Sequence, residues 1–201
     1  MRRFGERRLL VATHNPGKLD EMRMLFAPHG IEIVGSAEMG LEEPEETETT
    51  FLANALIKAR SAVAASGLPV LADDSGIMVD ALGGAPGVYT ADWAETGSGR
   101  DFDMAMARTW NELEKLAAPD PRWAKFCCTL VLMWPDGHYE TFEGVAPGHL
   151  VWPTRGAHGH GYDPMFIPDG HDRTFAEMSA DEKNEISHRA AAMRKLEAAL
   201  A

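Results

Sequence analysis

The alternation of short apolar runs with helical patterns in the first part of the chain constrains the fold more than any other feature. Three runs are apolar and partly β-branched, as expected of buried strands. A helical pattern begins at Asn15 and Pro16, which suit the N-cap and the first helical position, and a second extends from Thr49 or Thr50 to Gly67. This alternation predicts an α/β fold. The three predicted strands are residues 9–13, 31–34 and 70–72.

The second half of the chain adds a helix, a hairpin and a long C-terminal helix. Apolar residues recur at helical spacing over residues 102–116, and residues 125–134 and 139–145 flank a Pro-Asp-Gly turn typical of a hairpin. Ser179 and Glu182 form a capping-box pattern that opens one continuous final helix. We therefore predict a single domain over residues 1–201, with a long mixed sheet and flanking helices. The core stripe of the final helix is predicted to be Ile186, Ala190, Met193 and Leu200.

Composition and charge exclude several classes of protein. The formal net charge of −12 argues against a protein that grips a nucleic-acid polymer, because such proteins usually present a basic surface. No apolar stretch is long enough for a transmembrane helix, and no membrane partner is expected. The two cysteines, Cys127 and Cys128, are adjacent and cannot form a disulfide framework. We expect a protein of the reducing cytoplasm.

The segment that joins the first strand to the first helix is suited to binding phosphate. A strand, a tight turn and a helix N-terminus together expose backbone N–H groups and the positive end of the helix dipole, and a lysine adds a full charge. The segment differs from a Walker loop, which would need other residues at Ala12 and Leu19. An ordinary capped helix with a surface lysine is the alternative. The candidate residues are Thr13, His14, Asn15, Pro16, Gly17 and Lys18.

Carboxylates cluster in two further segments. Asp73 and Asp74 follow the strand predicted at residues 70–72, within a turn predicted at residues 73–76, where α/β sheets usually place ligand sites. Adjacent carboxylates can hold Mg²⁺ and polarise a water molecule, although an Asx-type turn is the alternative. The acidic segment of residues 42–46 is typical of a solvated loop, yet one of its carboxylates can complete a metal site.

Two segments near the C-terminus carry glycines and polar donors. Residues 156–161 alternate glycine with His158 and His160, and we interpret them as a loop that covers a ligand, because no third soft ligand supports a zinc site. On the final helix, Lys183 and Ser187 share one face by their spacing, while His188 and Arg189 are rotated away from it. A solvated helix face is the alternative for these four residues.

Five of these segments, in this order, resemble the inosine/xanthosine triphosphate pyrophosphatase family. The matching stretches read A-T-H-N-P-G-K near the start, then E-E-T with T-F-x-x-N-A-x-x-K-A-R over residues 45–60. L-A-D-D-S-G and A-L-G-G-A-P-G-V-Y follow over residues 71–89, then G-Y-D-P-M-F over residues 161–166. A-E-M and E-K-N-x-I-S-H-R over residues 176–189 complete the set. The match extends over nearly the whole chain.

The resemblance implies a fold, a site and a reaction. The fold is an elongated α/β structure with two lobes around a central cleft, usually a homodimer. The segment from Thr13 to Lys18 holds the triphosphate. Asp74 activates the attacking water and Ser75 binds substrate. Mg²⁺ is held by the Asp74 region, with Asp73 as a further ligand option, together with Glu45 or its neighbour Glu46. The implied nucleoside and last-helix contacts are His160, Gly161, Tyr162, Asp163, Lys183, His188 and Arg189.

The sequence therefore predicts a Mg²⁺-dependent hydrolase of nucleoside triphosphates. Its substrates are expected to be non-standard purine nucleotides (ITP, dITP and XTP), cleaved to the monophosphate and pyrophosphate. The family commonly has Phe where this chain has His160, so the surface that stacks on the base is expected to be more polar here. Two alternatives use the same residues: a nucleotide-binding sensor without turnover, and a metal-dependent phosphatase.

Overall fold

A computed structural model describes residues 2, 4–14 and 16–200. Within them, six strands form one sheet in the order β2-β1-β3-β6-β7-β8. β1 is parallel to both β2 and β3, whereas β7 and β8 are antiparallel, so the sheet is mixed. A short ribbon joins β4 to β5. The strands are β1 (Arg8–Val11), β2 (Glu32–Gly35), β3 (Val70–Val79), β4 (Glu95–Thr96), β5 (Gly99–Arg100), β6 (Arg122–Met133), β7 (Tyr139–Leu150) and β8 (Phe166–Pro168).

The helices begin and end where local signals predict, with one exception described below. Thr50 caps the second helix by accepting a hydrogen bond from the Ala53 N–H at 3.2 Å, and Gly67 ends that helix in the left-handed conformation. Asp101 caps the third helix through the Met104 N–H. The helices are α1 (Pro16–Phe26), α2 (Phe51–Ser66), α3 (Phe102–Lys115), α4 (Ala180–Ile186) and α5 (His188–Leu200).

The chain forms two compact units, each with its own core. Unit 1 comprises the described parts of Met1–Asp74, Thr129–Glu143 and Ala192–Ala201, and its core joins α2 to β1, β2, β3 and β6. Unit 2 comprises Ser75–Cys128 and Gly144–Ala191, and its core is rich in phenylalanine. The predicted α/β fold with a mixed sheet and flanking helices is confirmed. The single-domain assignment and the cleft stay predictions. Among the described residues, no helix is both long and apolar enough to cross a membrane.

The turn predicted at residues 73–76 is wrong. β3 continues through both aspartates and ends at Val79, a strand of ten residues. Ile77 and Val79 are fully buried, so the apolar side chains beyond the acids extend the strand. The Lys18 ammonium bonds Asp73 at 2.6 Å, and this long-range partner removes the need for the carboxylate to bond its own backbone.

The continuous final helix is also wrong. Ser187 adopts extended backbone angles (φ −69°, ψ 157°) and separates α4 from α5. Its N–H donates to the Lys183 carbonyl, while its hydroxyl accepts from the Ala190 N–H at 3.2 Å. Serine favours such capping positions over helix interiors because its side chain competes for backbone hydrogen bonds. The break changes the phase of the core stripe: Ala192 and Leu196 are buried, and the predicted residues Ile186, Ala190, Met193 and Leu200 are only partly buried.

The sheet hairpin is longer than predicted on both strands. β6 begins at Arg122 and β7 extends to Leu150, through Pro147 and Gly148. Proline and glycine usually weaken a strand, but β7 continues through both, and the Pro147 carbonyl accepts a hydrogen bond from the Asp169 N–H at 2.9 Å. Gly148 is required by a close approach, since a Cβ atom there would lie 2.2 Å from the Ile167 carbonyl oxygen of β8.

Candidate active site

The predicted phosphate-binding segment lies between β1 and the first turn of α1 in unit 1. Thr13 is buried and His14 is exposed, while Asn15 lies outside the described residues. Pro16, Gly17 and Lys18 are the first three residues of α1, so their backbone forms the helix N-terminus. The Lys18 ammonium is anchored by Asp73 at 2.6 Å. The N-terminus of α1 and the Lys18 ammonium therefore occur together, and both features favour the binding of an anion.

The two aspartates lie in the middle of β3 and are both buried. Asp73 is 9% exposed and Asp74 is 7% exposed. Buried carboxylates are stable as anions only when cations or hydrogen-bond donors compensate for lost hydration. Lys18 provides this for Asp73, and the Lys58 ammonium lies 4.0 Å from Asp74 Oδ1. Each acid is thus matched by a lysine from a different helix.

Lys58 is a site residue that the sequence analysis did not single out. It projects from α2, is 8% exposed, and donates to Glu46 Oε1 at 2.8 Å. Burial lowers the pKa of its ammonium, but attraction to Asp73, Asp74 and Glu46 outweighs burial and raises the pKa above its ordinary value. The available signal was Asn54 and Lys58, one turn apart on the face of α2 that otherwise buries alanines.

Asn54 binds the loop that precedes α2, which contains the acidic segment of residues 42–46, to the same face of that helix. Its side-chain oxygen accepts a hydrogen bond from the Glu48 N–H at 2.9 Å, and the side chain is 2% exposed. The loop is therefore held at two points, through Glu48 by Asn54 and through Glu46 by Lys58. Glu45, the first choice from the resemblance, and Glu46 are both exposed, and Glu46 is the one bonded to Lys58. Glu46 is the carboxylate of this loop that lies next to the buried acids, because Lys58 contacts both Glu46 and Asp74.

This set of oxygen ligands fits a hard divalent cation that is bound together with phosphate. Among the described residues, no three His, Cys, Asp or Glu side chains are grouped closely enough to hold a metal by themselves. Mg²⁺ seldom requires such a cage, because one or two carboxylates, water and substrate phosphates complete its coordination. Asp74 and Glu46, both within reach of the Lys58 ammonium, provide carboxylates of the kind that Mg²⁺ prefers.

A cavity of about 250 Å³ opens in unit 1 beside this charged group. Lys58 and His14 contribute its polar wall, and the acidic loop from Gly40 to Pro44 forms another side. The remaining lining residues are Ala12, Ser36, Ser61, Ala62 and Ala65. The lysine that neutralises the acids therefore also borders an open volume.

Asp163 is the centre of a second polar group, in unit 2. It is 2% exposed and accepts hydrogen bonds from the Lys183 ammonium at 2.5 Å and from the His160 N–H at 2.9 Å. Gly159 permits this approach, because a Cβ atom there would lie 2.1 Å from an Asp163 oxygen. Two segments predicted to contact the substrate, residues 160–163 and Lys183, are thus joined by direct bonds.

The remaining predicted residues of unit 2 differ in exposure. His160 is exposed in its glycine-rich loop, and Gly161 has a positive φ of 67°. Tyr162 is 1% exposed, and its ring belongs to the core, where its hydroxyl accepts a hydrogen bond from Thr109 at 3.2 Å. Ser75 lies in β3 directly after Asp74 and is partly buried. The Tyr162 side chain is therefore structural, and its backbone is the part that borders the loop.

His188 and Arg189 occupy the first turn of α5, after the break at Ser187. The sequence interpretation, in which both residues continue the helix of Lys183, is wrong for this reason. The imidazole of His188 stacks on Phe126 of β6, with ring centroids 4.9 Å apart and an interplanar angle of 13°. Both residues are partly buried, which favours a fixed position over a freely solvated helix face.

Comparison with known proteins identifies similar sequences along the chain. A profile described as the Ham1 family matches residues 9–199. A protein of Ruegeria pomeroyi named dITP/XTP pyrophosphatase is 67% identical over 194 residues, which are 96% of this chain and 95% of that protein. A protein of Agrobacterium fabrum with the same name is 52% identical over 206 residues, 97% of this chain and 96% of its own.

Solved structures show the same fold. A HAM1 protein from Coxiella burnetii superposes with a TM-score of 0.92 at 36% sequence identity, covering 97% of this chain and 98% of that chain. A nucleoside-triphosphatase / dITP/XTP pyrophosphatase from Mycobacterium abscessus superposes with a TM-score of 0.79 at 40% identity, covering 94% and 98%. The resemblance found in the sequence motifs is confirmed by these full-length matches.

Proposed function

The chain belongs to the Ham1 family, and we propose that it is a nucleoside triphosphate pyrophosphatase acting on non-standard purine nucleotides. ITP, dITP and XTP are cleaved to the monophosphate and pyrophosphate, which removes them from the nucleotide pool. The 67% identical relative carries the name dITP/XTP pyrophosphatase, which supports this substrate class. The observation that carries the proposal is the group of buried Asp73, Asp74 and Lys58 with the partly buried Lys18, to which Glu46 is joined.

We assign the phosphate chemistry to the residues of unit 1. Attack of water on the α-phosphorus requires a positioned water, in-line geometry and neutralisation of the leaving pyrophosphate. Asp74 orients the water and accepts its proton, as a buried carboxylate can do; the Lys58 ammonium lies 4.0 Å from its Oδ1. Lys18 and the N-terminus of α1 hold phosphate oxygens, with Thr13, His14, Asn15, Pro16 and Gly17 forming the backbone around them.

Mg²⁺ is the cofactor we propose for this site. Asp74 and Glu46 are the ligands best supported by the contacts of Lys58, with Asp73 and Glu45 as their neighbours. When bound, the ion supplies charge neutralisation at the phosphate oxygens and lowers the pKa of coordinated water.

We assign recognition of the base to the residues of unit 2. An oxygen at purine position 6 distinguishes hypoxanthine and xanthine from adenine, and it must be read by hydrogen-bond donors. His188, Arg189 and Lys183 are such donors, and an adenine amino group facing them would leave one unsatisfied, at a cost of roughly 1–3 kcal/mol. His160 offers a flat ring for stacking, and the backbone of residues 161–163, together with Ser75, completes the contacts.

Two other activities use the same residues and are separated by one experiment. The purified protein is incubated with ITP, XTP, dITP, ATP and GTP in Mg²⁺, and pyrophosphate and orthophosphate are measured separately. The proposal predicts pyrophosphate from the first three nucleotides and little from ATP. Orthophosphate alone would indicate a phosphatase. Tight binding without either product would indicate a sensor.

The assembly and location follow from the same premise. We propose a homodimer in the cytoplasm that binds a small nucleotide and neither a nucleic-acid polymer nor a membrane. The formal net charge of −12 supports the absence of a nucleic-acid polymer as a partner. Light scattering on the purified protein tests the dimer, because a monomer would have half the predicted mass.

A further inference from the structure

The ring of His188 has a specific structural support in Phe126. The two rings are nearly parallel, at 13°, with centroids 4.9 Å apart. Phe126 is 7% exposed and lies on β6, within the core of unit 2. A residue proposed to read the base is therefore held by a residue that belongs to the sheet.

The position of His188 at the start of a helix gives contacts outside that helix a part in orienting its ring. His188 is the first residue of α5, because Ser187 has left the helical conformation. Inside a helix, the preceding turn restricts the χ1 angle of each side chain, but the first residue has no preceding helical turn. The helix itself consequently does little to fix the imidazole, and the flat contact with Phe126 limits its rotation.

Phe126 also contacts two other phenylalanines. Its ring meets Phe166 edge-on, at 4.8 Å and 71°, and contacts Phe175 at 5.9 Å. The Lys183 ammonium lies 5.4 Å from the centre of the Phe175 ring. One buried cluster, formed by Phe126, Phe166 and Phe175, thus supports both His188 and Lys183. Of these three rings, Phe126 is the one stacked on the imidazole.

We infer that Phe126 is a positioning residue for base selectivity: it sets the orientation in which His188 donates to the oxygen at purine position 6. This inference rests on the proposed function, since it assumes that His188 reads the base. In this role Phe126, which is 7% exposed, acts through His188. Its loss should therefore leave phosphate binding and hydrolysis possible, while the preference for ITP over ATP decreases.

The test compares Phe126→Leu with Phe166→Leu in the full chain. Both changes remove a buried phenylalanine from the same cluster, but only Phe126→Leu removes the stacked ring. We expect the ITP/ATP ratio of kcat/KM to decrease about three- to tenfold in Phe126→Leu, the scale of one aromatic pair. The ratio should stay within about twofold of wild type in Phe166→Leu, because its stacked pair is intact.

Two further measurements separate the possible failures. His188→Ala should lower the same ratio at least as much as Phe126→Leu; if it leaves the ratio unchanged, His188 does not read the base and the inference falls with that assignment. If His188→Ala lowers the ratio and Phe126→Leu does not, the inference alone is overturned. Equal decreases of the ratio in Phe126→Leu and Phe166→Leu also overturn the inference, because they would show a general loss of packing in the cluster. The His188 ring-proton shifts in an NMR spectrum should move downfield in Phe126→Leu, and unmoved shifts contradict the stack.

Discussion

Replacement of Lys58 by methionine separates the electrostatic role of this residue from its packing. Methionine has nearly the same length and fills the same buried space, but it leaves Asp74 and Glu46 without the ammonium that lies 4.0 and 2.8 Å from them. Breaking a buried ion pair from one side costs about 3–5 kcal/mol. Because the Glu46 side chain is 32% exposed and can be hydrated, we expect the lower end, about 3 kcal/mol.

The expected loss is measurable by thermal and urea denaturation. For a domain of this size, each kcal/mol shifts Tm by roughly 2–4 °C, so Lys58→Met should melt about 6–12 °C below wild type. Mg²⁺ without nucleotide should stabilise the variant more than the wild type, because the cation replaces the missing positive charge. Lys115→Met is the matched control: its exposed pair with Glu112 is worth at most about 1 kcal/mol.

The pH dependence of the Lys58 contribution has a definite sign. The folded-state pKa of Lys58 is raised above 10.5, so its contribution is fully present below that pH and decreases as pH rises through the folded-state pKa. The stability difference between wild type and Lys58→Met should therefore be constant from about pH 6 to pH 9. Equal stability of Lys58→Met and Lys115→Met would refute the account of this cluster. Equal stabilisation of Lys58→Met and the wild type by Mg²⁺ would also refute it.

Three other substitutions test the site. Asp74→Asn should lower kcat by at least about 100-fold while circular dichroism and nucleotide binding stay near wild type; near-normal turnover would assign the chemistry to Asp73 or elsewhere. Gly159→Ala should raise KM for ITP and destabilise the protein more than Gly137→Ala does. Both glycines have a positive φ, but only a Cβ atom at residue 159 would meet Asp163. Equal effects of the two substitutions would show that backbone strain alone matters. Arg189→Ala should lower kcat/KM for ITP more than for ATP, whereas a uniform decrease would reassign Arg189 to phosphate binding.

Features governed by neighbouring residues were predictable from the sequence. Thr50 and Gly67 limit α2 as expected, and the capping box of Ser179 and Glu182 opens α4. These signals act within one helical turn, so they depend little on the rest of the fold. The motif resemblance was equally informative, because five ordered segments identified the family before any geometry was known.

Features governed by distant residues were not predictable in this way. The sequence predicted a turn at Asp73 and Asp74. That prediction was wrong because their lysine partners come from α1 and α2, which are far away in the chain. Ser187 is ambiguous in sequence, because serine is tolerated within a helix, and its capping bonds appear only in the structure. The role of Lys58 was missed since a lone lysine on a helix usually faces water, and only its burial among carboxylates shows otherwise.

The position of bond cleavage tests the central claim most directly. ITP is hydrolysed in water enriched in oxygen-18, with Mg²⁺ present, and the products are separated and examined by mass spectrometry. Attack at the α-phosphorus, with Asp74 orienting the water, predicts one heavy oxygen in inosine monophosphate and none in the released pyrophosphate. Heavy oxygen in pyrophosphate, or labelled orthophosphate beside inosine diphosphate, would contradict the account.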